Sequence, residues 1–156
     1  MAVNVTVFVP PHLSGAPVLS LEIILGEPSR LERLAVDIHD HYTAACNEDP
    51  DRVQKAMIVC SSRPIAYALL KKFKAKYSEW FEEKKVADGV SATAEELREL
   101  KPMPFMAMVT SVGKNDEAEM YNYLGGVSND KRSGDLDAAF KQEKSNFHVV
   151  IVVDMW

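Results

Sequence analysis

The sequence predicts an α/β domain built on a parallel-rich sheet flanked by helices, and three observations carry that expectation. Short apolar runs recur at KAMIVC (55–60), FMAMVTS (105–111) and FHVVIVVD (147–154). Stretches with apolar residues at helical spacing lie between them. Strand–helix–strand repeats imply right-handed crossovers and parallel neighbours, with helices laid over the faces. A chain of 156 residues, 47% hydrophobic and 26% charged, has the make-up of an ordinary folded domain with room for a core.

At the amino end, Val3, Val5, Val7 and Val9 alternate with smaller or polar residues, which reads as a strand with one buried face. Pro10, Pro11 and Gly15 break it, and VLSLEIIL (18–25) follows as a second extended stretch. The two are expected to pair as a β-hairpin added to the sheet, so residues 1–28 form an extended segment and 29–156 the main lobe. The strict alternation and the lack of a basic leader argue against a signal peptide.

The first helix is expected to begin with a capping box formed by Ser29 and Glu32. Leu31, Leu34, Ala35, Ile38 and Tyr42 make its packing stripe, and the polar turn after Cys46 ends it. KAMIVC is a short apolar strand bounded by charges, the pattern of a central strand buried on both faces. Pro64 suits the first position of the next helix, where its missing N–H costs nothing. Ile65, Leu69, Phe73, Tyr77 and Phe81 then lie four apart along a helix running toward Glu82.

From Glu82 to Lys101 the composition turns polar, as in a surface insertion, with a capping box at Thr93 and Glu96 before a short helix. Residues 117–124 read as a short helix stopped by Gly125-Gly126. SNDKRSGD is expected to be loop, with Asp135 capping LDAAFKQEK, and FHVVIVVD is the last strand.

The formal net charge of −5 argues against a free-standing, non-specific DNA or membrane binder, which would usually be basic. Cys46 and Cys60 lack a C-x-x-C partner, so reduced, buried thiols are expected. No apolar run approaches the roughly 20 residues needed to cross a bilayer, and the expectation is a cytoplasmic protein.

In parallel sheets the ligand side is the carboxyl edge of the strands. Ser61, Ser62 and Arg63 end one strand, Thr110 and Ser111 the next, and Asp154 the last. Hydroxyls and a guanidinium at that edge suit a phosphate, which Arg matches bidentately. Each also has a plainer role, as helix cap, turn hydroxyl or surface arginine.

His39 and His41, two apart on a helix, point to different faces, and Asp37 with His41, four apart, supplies only two ligands, so a solvated helix face is the expectation there. His148 lies in a buried strand and reads as a packed core histidine. Lys71, Lys72, Lys74 and Lys76, followed by acidic residues, read as a solvated face. Phe73, Trp80 and Phe81 at helical spacing read as core or lobe-interface residues before a base-stacking platform.

Four stretches together carry a family resemblance: RLERLAVDIHDHY, KAMIVCSSRPIAYALLKKF, FMAMVTS and LDAAFKQEKSNFHVVIVVDMW. They resemble the second motor lobe of the R subunit of type I restriction enzymes, superfamily 2 translocases with two RecA-like lobes. KAMIVCSSR looks like helicase motif IV and VIVVDMW like the beginning of motif V, which in the family continues with a short L-T-G-F-D run. The resemblance implies a RecA-like lobe cut inside motif V, with DNA-backbone contacts at Ser61, Ser62, Arg63, Thr110 and Ser111 and a coupling role for Asp154. Val153 stands where the family often has threonine. The parent would be an ATP-dependent site-specific deoxyribonuclease using ATP and Mg, translocating double-stranded DNA. Its partners would be the first RecA-like lobe and the methyltransferase and specificity subunits. This chain contains no G-x-x-x-x-G-K-[ST], and alone is expected to be inactive. The rival expectations are a small α/β binding or adaptor domain without nucleotide chemistry, and the second lobe of another superfamily 2 translocase.

Overall fold

The computed structural model describes residues 27–153 and the backbone of Val3–Val5. In chain order the elements are β1 (Val3–Val5), α1 (Pro28–Glu48), β2 (Ala56–Cys60), α2 (Arg63–Lys76), a 3-10 turn (Ser78–Phe81), α3 (Ala94–Glu99), β3 (Met106–Val109), α4 (Ala118–Tyr123), a second 3-10 turn (Gly126–Ser128), α5 (Asn129–Lys141) and β4 (Val149–Val153). The strands form one wholly parallel sheet in the order β1-β2-β4-β3. The parallel, helix-flanked architecture is as the sequence predicts. β1 joins it as a parallel neighbour of β2; residues 18–25, the expected hairpin partner, lie outside the described residues.

Register divides the side chains between two faces. Ala56, Val149 and Met106 lie side by side, as do Ile58, Ile151 and Met108, and this face meets α1, α2 and α4. Leu31, Ala35, Ile38 and Tyr42 of α1 and Leu69, Leu70 and Phe73 of α2 pack in the same cluster. The opposite face, with Met57, Val109, Val150 and Val152, is covered by Leu136, Ala139 and Phe140 of α5 together with Met103 and Phe147. β2 is expected to be buried on both faces, yet it alternates between buried and half-buried, with Met57 only partly covered by the α5 layer.

Local chemistry explains where the boundaries differ from expectation. α1 begins one residue before Ser29: Glu27 is the cap, its carboxylate accepting from the Ser29 and Arg30 amides, and Pro28 opens the helix. Glu32 is thereby free of capping and pairs with Lys76 of α2 at 3.1 Å. α2 stops at Lys76, so Trp80 and Phe81 sit on a 3-10 turn that folds back and stacks Trp80 on Phe73. The Thr93–Glu96 capping box forms as predicted, and hydrogen bonds from Lys144 and Thr93 draw the Glu96 carboxyl down to about 2.

The polar stretch from Glu82 to Lys101 is more than a surface insertion. Lys84 pairs with Met103 and Val86 with Ser145 through antiparallel bridges, which bury Ala87, Leu100 and Met103. α4 ends at Gly125 and Gly126 as expected; both take positive φ (+93° and +51°), which glycine adopts without strain. The expected loop SNDKRSGD is instead mostly helical, since α5 starts at Asn129. Asp135 therefore sits inside a helix and holds Lys101 at 2.7 Å rather than capping.

Two side chains finish backbone groups that the sheet leaves open. Lys55, just before β2, donates to the carbonyls of Phe140 (2.6 Å) and Gln142 (2.8 Å) at the carboxyl end of α5. On the outer edge of β3, the Met108 N–H donates to Tyr123 Oη and the Met108 carbonyl accepts from Arg132, both at 3.0 Å. Arg132 lies over the Tyr123 ring, 4.7 Å from its centroid. Lys55→Met leaves the α5 carbonyls without their cationic partner and is expected to lower stability by about 2 kcal/mol, read from urea unfolding.

Candidate functional site

The carboxyl edge gathers two of the three predicted loops. Ser62 takes an extended conformation (φ −149°, ψ 157°) and caps α2, its Oγ accepting from the Ile65 amide at 3.4 Å, while its carbonyl accepts from Ala66. Pro64 has no N–H to give. The helix start thus has little left to offer an anion, and the hydroxyl of Ser62 serves the cap.

Arg63 leaves this corner and reaches the loop after β3. Its Nη2 meets Asp116 Oδ1 at 2.9 Å, and its Nη1 donates to the Ser111 carbonyl at 3.3 Å. The other Asp116 oxygen, Oδ2, accepts from the Gly113 amide at 2.6 Å. The Asp116 side chain is 3% exposed and that of Arg63 23%, so this pair is shielded far better than an ordinary surface bridge. The guanidinium lies directly over Gly113: a Cβ there would sit 1.8 Å from Nη2. Only glycine allows this approach.

Arg63 and Ser111 are therefore in contact. Ser61 and Ser111 are exposed, and Thr110 is half-buried with its carbonyl accepting from Asn129. Asp154 lies outside the described residues. The sequence reading missed Gly113 and Asp116, which hold Arg63. Their spacing, a glycine three residues before an aspartate in a post-strand loop, signals a turn but not the contact with Arg63.

Other singled-out residues belong to the core or its rim. His39 is not on a solvated face: it stacks on Tyr77, centroids 3.8 Å apart and planes within 4°. Lys71 and Lys76 are exposed and pair with Glu119 and Glu32. Cys60 is buried, and burial pushes its thiol up to about 11. Among the described residues no helix is long and apolar enough to cross a membrane.

His148 is a packed histidine, as expected, and lies at the opposite, amino edge of the sheet. It is 7% exposed and stacks on Phe105, and its Nδ1 is 3.3 Å from Tyr42 Oη, which donates to the Gln54 carbonyl. Burial first, then the charge of Lys55, holds its pKa down to about 4. The unfolded chain binds that proton near pH 6.5, so folding is favoured above that value and loses stability as pH falls toward 4. Urea unfolding is expected to show a loss of roughly 2 kcal/mol between pH 7 and pH 5, which His148→Gln removes.

No family model, curated protein sequence or solved structure matches this chain.

Proposed function

We propose that this chain is the second, RecA-like motor lobe of a superfamily 2 DNA translocase of the type I restriction class, gripping the phosphodiester backbone at its carboxyl edge. The observation that carries the reading is the convergence of Arg63, from the loop after β2, with Ser111, from the loop after β3, at one edge of a parallel sheet. The resemblance of the strand-S-S-R and VVDMW stretches supports it. In this reading ATP and Mg bind between this lobe and a first lobe carrying the phosphate-binding loop, and lobe closure and opening advance the duplex. Backbone contacts suit such a task because they carry no sequence information. Duplex cleavage, methylation and site recognition belong to other parts of the restriction complex.

One observation favours a second reading, a small α/β binding domain without nucleotide chemistry. Arg63 is neutralised by Asp116 and the Ser62 hydroxyl serves the helix cap, which together make a rigid corner.

Sequencing the encoding locus through both ends separates the readings. The motor reading expects an L-T-G-F-D-like run after Trp156 and a G-x-x-x-x-G-K-[ST] motif upstream; a stop codon after Trp156 with no such motif upstream sinks it. Fluorescence anisotropy supplies an independent check. Two duplexes of unrelated sequence are expected to bind equally and to weaken steeply with salt; no duplex binding at low salt counts for the second reading.

A further inference from the structure

The Asp116 carboxylate is held the way an enzyme holds an oxyanion. One oxygen takes a guanidinium N–H and the other a backbone N–H, at 2.9 and 2.6 Å, inside a loop whose glycine lets the guanidinium lie flat against the chain. We propose that Arg63 Nη2 and the Gly113 amide form an oxyanion cradle, with the Asp116 carboxylate as its resident occupant, and that a phosphodiester group takes that occupant's place. The proposal rests on the reading of this edge as a DNA-backbone contact and adds to it the residue that competes with the DNA.

Three features support the exchange. A carboxylate and a phosphodiester each carry one negative charge and present two oxygens to a pair of donors, so one replaces the other without changing the charge of the cradle. The cradle joins the loops that follow β2 and β3, the strands on either side of β4. Exposed Ser61, Ser111 and Lys114 lie on the same loops, where they can meet the oxygens and neighbouring phosphates of a strand. The aspartate keeps Arg63 oriented and its charge compensated when no polyanion is present, and phosphate must displace it.

The test uses the 156-residue chain with inorganic phosphate and a short duplex as probes. The Arg63 Nε–H resonance reports occupancy by NMR. Asp116→Asn removes the competing charge and is expected to bind phosphate at Arg63 roughly tenfold more tightly than the unaltered chain. A second change, Arg63→Gln, should abolish that gain. Duplex binding by Asp116→Asn should tighten in parallel, with a salt slope steeper by about one phosphate contact. If Asp116→Asn fails to fold, Asp116→Ser carries the same test, since its hydroxyl can still accept from Gly113.

A folded variant with the Arg63–Asp116 pair broken and phosphate affinity unchanged overturns the cradle. Duplex binding that is the same with and without Asp116 also overturns it, while leaving the DNA reading standing. Phosphate binding that tightens without any duplex binding upholds the cradle and removes the DNA reading.

Discussion

β4 is the last strand in the described chain and lies between β2 and β3, so neither of those strands has its inner partner until Val149–Val153 is in place. Everything else in the domain is arranged around that insertion. β2 and β3 are joined by a long connection whose helix α2 packs on one face of the sheet, while α5 packs on the other. Lys55 ties the end of α5 to the start of β2, next to where β4 begins. The Arg63–Asp116 pair closes the other end of the same gap. Such non-local pairing is costly in chain entropy until several contacts form together.

The same arrangement separates two kinds of chemistry along one strand. At the amino edge, Phe105, Tyr42 and His148 stack in an aromatic cluster whose histidine burial keeps neutral. At the carboxyl edge, a cation and an anion are held within a loop crossing. A parallel sheet produces this polarity automatically, because all its strands begin on one side and end on the other. The candidate residues fall on the second side by topology alone, before any question of what they bind.

How much of this was legible in the sequence depends on the range of the cause. The interior strands β2 and β4 and edge strand β3 were readable because their apolar runs are set by burial. Thr93–Glu96 was readable because a capping box is complete within four residues. Ser29–Glu32 has the same pattern and was misleading: Glu27 and Pro28 form a better start two residues earlier, and Lys76, distant in sequence, takes Glu32. The helical spacing of Tyr77 and Phe81 continued past the real end of α2, since packing of Trp80 on Phe73 favours a turn over another helical winding. At the site, the strand-end hydroxyls and Arg63 were visible, but Asp116 was not. Its partner lies in another loop, and nothing local in S-V-G-K-N-D says that its carboxylate will face a guanidinium.

The treatment of the outer edge of β3 has a consequence for how the protein keeps to itself. An uncovered edge strand offers alternating donors and acceptors on which another chain can build. Here the middle residue of that row has already spent both groups, its N–H on a tyrosine oxygen and its carbonyl on an arginine, with the two side chains stacked on each other. A strand arriving from another molecule meets a filled register and a cation where it needs open backbone. The domain thus carries its own terminator for sheet growth, assembled from two helices and available as soon as they dock.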